Sequence, residues 1–188
     1  TVCTLIKPKV EDEEYRLRFI SGGMLSTAEL SILQAHKEIS LFAERTARML
    51  GMVRELFYEK NEEVFLKTYA RMEIEIANYL TQVSEGRLSS ESKEEIRIML
   101  RAVSEIESIA DSCNNMARSI KRRNEFKSVF TDSQNKHLDH MFELVSRALT
   151  RMTYILSKNE ATHEDINPSY NIENEINNYR NQLKSRNI

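Results

Sequence analysis

Two acidic residues, Glu107 and Asp111, have the spacing of a metal site on a helix. Residues four apart lie on one face of a helix, so their carboxylates can hold a hard cation between neighbouring helices. Asn114 and Arg118 continue the same polar edge. Other acidic pairs share the spacing without further sign of a site: Glu55/Glu59, Glu59/Glu63 and Glu91/Glu95. The sequence is therefore compatible with two interpretations, a metal site and a solvated acidic edge.

Two histidines, His137 and His140, are three residues apart, with Asp139 and Glu143 nearby. Imidazoles and carboxylates at this spacing can contribute to a transition-metal site, but such a site needs further ligands from another helix. The histidines flank apolar positions of a predicted helix, which favours solvated side chains over a metal site.

Three other reactive or polar residues fall on predicted apolar stripes, namely Cys113, Tyr79 and Tyr179. A lone cysteine at a core position is typical of a small buried hydrophobic residue. We expect the two tyrosines to pack in the core as well, rather than to bind a ligand.

Basic residues cluster once, at Arg118, Lys121, Arg122 and Arg123. Such a run is favourable at a helix C-terminus, and in a domain next to a membrane it can contact anionic headgroups. The chain as a whole has 27 Lys and Arg against 29 Asp and Glu, a formal net charge of −2. This balance gives no reason to expect binding to nucleic acid, which depends on a basic surface.

Motifs of catalysis are missing from the sequence, which has no glycine-rich phosphate loop, nucleophile elbow or suggestive Cys/His pair. A di-iron enzyme would need Glu-x-x-His pairs on two helices, and these are also missing. We therefore do not expect an enzyme. The two cysteines, Cys3 and Cys113, cannot form a disulfide scaffold and suit a reducing compartment.

Turn residues are scarce, because the 188 residues include only 4 Gly and 2 Pro. Sandwiches, barrels and doubly wound sheets need many more. No apolar run approaches the roughly 20 residues of a membrane-spanning helix. The composition therefore predicts long helices joined by a few loops.

Apolar or small residues recur at alternating spacings of three and four, which predicts the long helices of a bundle. The first helix follows Ser26 and Thr27 and carries Ala35, Ile39, Phe42, Thr46, Met49, Val53 and Leu56. The second ends before a capping Gly86 and carries Phe65, Thr68, Met72, Ile76, Tyr79 and Val83. The third follows Ser89 and carries Ile96, Met99, Val103, Ile106, Ala110, Cys113, Ala117 and Ile120.

Two more helices follow. The fourth begins at a capping box from Thr131 to Gln134 and carries Leu138, Met141, Val145, Ala148, Met152 and Ile155. Asn167 and Pro168 predict the N-cap and first residue of the fifth helix, which carries Ile172, Ile176, Tyr179 and Leu183.

An internal repeat links the second and fifth helices. The pattern E-x-E-I-x-N-Y-x-x-Q-[VL] runs from Glu73 to Val83 and again from Glu173 to Leu183. We interpret it as a tandem repeat of three-helix units, in which the partner of the third helix would follow Ile188. The sixth helix is then missing, which leaves an apolar groove for a partner chain.

The third helix carries a family resemblance. Its segment from Met99 to Arg118, with Glu107, Asp111 and Asn114, resembles the L-x-x-L-E-R-I-G/A-D-x-x-x-N-I-A pattern of PhoU domains. The segment from Leu25 to Glu44 is similar to the start of the PhoU-like C-terminal domain of bacterial sodium-dependent phosphate cotransporters. The charged arm from Ile6 to Glu14 is similar to that family's exit from its last membrane helix.

The resemblance also has an implication for metal binding. A carboxylate followed four residues later by Asp is the family's metal signature, and Glu107 and Asp111 match it. Three departures weaken it: Ala77 and Asn177 stand at the Asp position in the second and fifth helices, and Ser40 replaces the acid in the first. We therefore expect no cofactor, with a divalent or iron-type metal as the less favoured outcome.

The fold implied is an all-α, PhoU-like tandem three-helix bundle of long antiparallel helices. Its parts are a charged arm (1–25), a first unit (26–125) and a second, incomplete unit (126–188). The function implied is a cytoplasmic regulatory or interaction domain of a sodium-dependent phosphate cotransporter, on the inner side of the bacterial membrane. Its partners would be its own transporter domain, further copies of itself and the anionic membrane surface. The alternative is a free-standing, metal-binding PhoU-type regulator of phosphate transport and signalling.

Overall fold

The computed structural model describes residues 17–20, 27–59, 69–86, 88–127, 129–158 and 161–185; of residues 59 and 69–73 it describes the backbone alone. These ranges contain five helices and no strand, which confirms the all-α class for the part of the chain described. The helices are α1 (Ala28–Glu59), α2 (Tyr69–Ser84), α3 (Ser90–Glu125), α4 (Asp132–Leu156) and α5 (His163–Ser185). None of them has the length and apolar character needed to cross a membrane.

The central helix is α1, which packs against α2, α3 and α4, whereas α5 contacts α4 alone among the described helices. The last turns of α1 meet the first turns of α4, where Arg54 bonds Asp139 at 2.8 Å. The last turns of α1 and α3 lie together, because Arg123 donates to the carbonyl of Phe57 at 3.0 Å. Hence α1 and α3 run parallel and α4 runs antiparallel to α1.

The stripes predicted for α1 and α3 are confirmed as the core. All seven stripe residues of α1 and all eight of α3 are buried. The apolar ones form two clusters along α1, one toward its start with α2 and the first half of α3, the other toward its end with the second half of α3 and α4. Both helices bury one continuous face, so the spacing of their apolar residues identifies the core directly.

The start predicted for α3 and the capping box predicted for α4 are also confirmed. The Ser89 hydroxyl accepts from the N–H of Ser92 at 3.1 Å. At the start of α4, the Thr131 hydroxyl accepts from the N–H of Gln134, and the Gln134 side chain accepts from the N–H of Thr131. These bonds satisfy backbone donors that have no partner inside the helix.

The stripe predicted for α4 is only partly correct. Its six residues are half-buried, whereas the fully buried positions are Phe142, Leu144 and Leu149. The reason is that α4 packs against two helices on different sides. Met141 and Ile155 lie four residues after His137 and Arg151, which contact α5, so they belong to the α5 side rather than to the α1 side.

The predicted start of α5 is wrong, because the helix begins at His163 and Pro168 lies inside it. A second capping box sets this start. The Thr162 hydroxyl accepts from the N–H of Asp165 at 3.2 Å, and the Asp165 carboxylate accepts from the N–H of Thr162 at 3.0 Å. Pro168 removes one bond to the carbonyl of Glu164, an exposed first-turn residue that water can reach.

The glycine predicted to cap α2 does not adopt the left-handed conformation. Gly86 follows the helix and donates to the carbonyl of Val83 at 3.2 Å, but no described glycine has a positive φ. The left-handed residue is Lys127 after α3, with φ of 52°. For the second stripe, Phe65, Thr68 and the side chain of Met72 lie outside the described residues.

Candidate functional site

The predicted metal pair lies on the outer side of α3. Glu107 and Asn114 are half-buried, and Asp111 and Arg118 are exposed. Within the described residues, no group of three or more His, Cys, Asp or Glu side chains lies close enough to hold a metal ion. The metal site at Glu107 and Asp111 therefore stays a prediction that the geometry does not strengthen.

The two histidines of α4 face α5. His137 is half-buried, and its Nδ1 lies 2.7 Å from the Tyr179 hydroxyl. His140 is exposed and meets the edge of the same ring, with centroids 4.5 Å apart. His137 thus lies in the contact between α4 and α5, whereas His140 touches the same ring and stays exposed to solvent, as its sequence position predicted.

The two tyrosines of the repeat occupy matching positions. The Tyr79 hydroxyl on α2 donates to Gln34 of α1 at 3.0 Å, as Tyr179 on α5 pairs with His137 of α4. Gln34 and His137 directly precede Ala35 and Leu138, the first stripe residues of their helices. Each pair of helices therefore docks in the same register, through the tyrosine that the repeat shares.

Cys113 is enclosed in the core cluster toward the end of α1. Burial raises the pKa of its thiol to about 11, because the thiolate is poorly solvated there. At neutral pH the residue is a protonated, unreactive core side chain.

A buried carboxylate anchors the segment before α1. Glu38 is fully buried, and its carboxylate accepts from the backbone N–H groups of Phe19 and Ile20. Lys37 lies over the Phe19 ring, 5.7 Å from its centroid, and Leu17 packs against the core. The last residues of the predicted arm are therefore part of the bundle, while 1–16 and 21–26 lie outside the described residues.

Sequence reasoning missed this anchor and the buried Arg45. Ser31, Glu38 and Arg45 are spaced by seven, beside the apolar stripe of α1, and all three are buried. That heptad line of polar residues was the available signal. Gln34 and His137 are 103 residues apart, and at that offset the matching positions of α4 carry Gln134, Met141 and Ala148 instead. The line is therefore a feature of α1 that α4 does not share.

The basic cluster lies at the end of the bundle where α1 and α3 finish and α4 starts. The Arg123 guanidinium stacks over Phe57, 4.3 Å from the ring centroid, and lies 5.4 Å from that of Phe130. Lys121 and Arg122 are exposed. Arg123 thus has a structural role, and its basic neighbours are left facing solvent.

Open cavities lie between α3 and α4. One of about 330 Å³ is bounded by Phe57, Met116, Ile120, Phe130 and Phe142. A neighbour of about 350 Å³ shares Met116 and reaches Leu50 and Val145. They exist because α3 and α4 each pack on α1 and not on one another.

The chain matched no family model, no curated protein and no solved structure.

Proposed function

We propose that this chain is a PhoU-like regulatory and interaction domain of a sodium-dependent phosphate cotransporter. It would act on the cytoplasmic side of the membrane through contacts of its helix faces. The observation that carries the proposal is the shared register of Tyr79 on Gln34 and Tyr179 on His137. A tandem repeat of the PhoU kind accounts for that register, and the motif from Met99 to Arg118 accounts for the choice of family.

The anchored segment before α1 supports a regulatory link. A transporter preceding this chain would connect to the bundle through residues 17–20, which the buried Glu38 holds by two backbone hydrogen bonds. Movement of a preceding membrane helix would then be transmitted to α1, the helix that contacts α2, α3 and α4.

The second unit differs from the first in the polarity of α5 compared with α2, which affects the partner that this helix can bind. No side chain of α5 is fully buried, and the position of the buried Leu80 on α2 is taken by the exposed Arg180. A sixth helix or another copy of the chain would therefore meet a more polar surface on α5 than α3 meets on α2.

The alternative is a free-standing PhoU-type regulator with a bound metal. Its support is the resemblance, because Glu107 and Asp111 stand four residues apart on α3 as in the family's metal signature. Metal analysis of the purified protein separates the two functions. Stoichiometric iron, zinc or manganese that is lost in Glu107→Ala but kept in Glu105→Ala would establish the alternative.

The first test of the proposal is the sequence of the gene. The coding sequence upstream of Thr1 should encode membrane-spanning helices, and the encoded protein should fractionate with the inner membrane. An upstream region without such helices would refute a cotransporter domain.

A further inference from the structure

The connection between α3 and α4 exposes large apolar side chains. Phe126 is 75% exposed and Val129 is 91% exposed, and Phe130 next to them is 40% exposed. Single exposed apolar residues are ordinary on protein surfaces. Phe130 stacks on Phe57, with ring centroids 5.7 Å apart, so the outward side chains are Phe126 and Val129. Two such side chains three residues apart, at the tip of a connection, mark a contact with an apolar phase or partner.

The same tip is strongly basic. Residues 118–136 contain two acids, Glu125 and Asp132, and six basic residues: Arg118, Lys121, Arg122, Arg123, Lys127 and Lys136. This segment carries a formal charge of +4 in a chain whose net charge is −2. The positive charge is therefore concentrated where the apolar side chains project.

One cation at this tip is bonded within the bundle, and others are exposed to solvent. Arg123 is held by the carbonyl of Phe57 and by the Asn124 side chain, both at 3.0 Å. Lys121, Arg122 and Lys127 are exposed. These three can reach an outside anion without loss of a bond that holds the bundle together.

We propose that this tip, formed by Phe126, Val129, Lys121, Arg122 and Lys127, binds the surface of an anionic lipid bilayer. Exposed aromatic and aliphatic side chains enter the boundary between headgroups and acyl chains, while lysine and arginine stay at the phosphate level. A bilayer fits better than a groove-binding helix, because Phe126 and Val129 are 75% and 91% exposed and neither lines the cavity bounded by Phe57 and Phe130. The inference does not depend on the proposed transporter function.

Binding is tested by cosedimentation of the purified chain with vesicles of phosphatidylcholine, with and without an equal part of phosphatidylglycerol. We expect binding to the anionic vesicles alone, and weakening by salt. Lys121→Gln with Arg122→Gln should lower the affinity about thirtyfold, since each cation near such a surface contributes about fivefold. Phe126→Ser with Val129→Ser should lower it roughly tenfold or more.

Matched controls lie on α2 and in the first half of α3, away from this tip. Lys93→Gln with Arg101→Gln removes two exposed charges, and Ile74→Ser with Ile98→Ser removes side chains that are 55% and 60% exposed. Both controls should bind as the wild type does. Failure of the wild type to bind anionic vesicles, equal binding to neutral vesicles, or equal losses in the controls would overturn the proposal. Helical circular dichroism identifies any variant that has not folded.

Discussion

Tyr179 on α5 pairs through its hydroxyl with Nδ1 of His137 on α4, at 2.7 Å. The matching bond from Tyr79 to Gln34 joins α2 to α1 at 3.0 Å. These bonds cross the two interfaces that the repeat relates to one another. Because no residue of α5 is fully buried, the docking of α5 on α4 depends on polar contacts such as the one between Tyr179 and His137.

Removal of the Tyr179 hydroxyl should weaken the docking of α5. Tyr179→Phe loses one side-chain hydrogen bond, so the free energy of unfolding should fall by about 1 kcal/mol. Urea unfolding measures the change. Tyr170→Phe is the matched control, because Tyr170 lies on the same helix and is 59% exposed. Equal stability of the two variants would contradict the role of the hydroxyl.

Alanine at Gly51 should stabilise the protein. Gly51 is an exposed residue inside α1, and a Cβ there would meet no atom within 4 Å. Glycine costs a helix interior about 1 kcal/mol relative to alanine, so Gly51→Ala should raise the melting temperature by about 2–4 °C. In Gly86→Ala the new Cβ would lie 3.3 Å from the carbonyl oxygen of Val83. That variant should show no gain, and a larger gain there than at Gly51 would contradict this account.

Glycine at position 127 should also stabilise the protein. Lys127 has a φ of 52°, a conformation that costs a residue with a Cβ roughly 1–2 kcal/mol. Lys127→Gly should therefore raise the free energy of unfolding by about 1 kcal/mol. Lys121→Gly, inside α3, should lower it by about the same amount. Changes of equal sign in thermal melts would refute the left-handed conformation at Lys127.

The thiol of Cys113 should resist labelling in the folded protein. With its pKa raised to about 11, about one thiol in a thousand is ionised at pH 8, compared with roughly a quarter for a free cysteine. In a Cys3→Ala background, reaction with a disulfide reagent should be slow in buffer and fast in urea. Fast labelling without denaturant would show that α3 does not bury this face.

The core of α3 was predictable because that helix buries one continuous stripe, and the stripe predicted for α1 lies within a broader buried face. The core of α4 was not read from its own spacing, since that helix packs against α1 and α5 with different residues. The repeat contains part of the missing information: the offset of 103 between Ala35 and Leu138, applied to Ile39 and Thr46, gives the buried Phe142 and Leu149 but not Leu144. The offset of the repeat therefore predicts the buried residues of α4 better than the heptad spacing of α4 does.

The start of α5 and the Glu38 anchor were missed for different reasons. Thr162 and Asp165 form a capping box that outweighs the proline signal at Asn167 and Pro168. A buried glutamate is unexpected from local sequence, because its burial requires donors from elsewhere. Here they are the N–H groups of Phe19 and Ile20, whose approach to α1 depends on tertiary structure.

The function proposed above is regulation of sodium-dependent phosphate uptake by this domain. The direct measurement is uptake of radiolabelled phosphate by cells that express the full encoded protein, compared with a protein truncated before Leu17 at matched membrane abundance. We predict uptake that requires sodium in both, with a rate or phosphate dependence that changes at least about twofold when the domain is removed, the size of a modest regulatory coupling. Uptake without sodium dependence, or identical uptake with and without the domain, would contradict the claim.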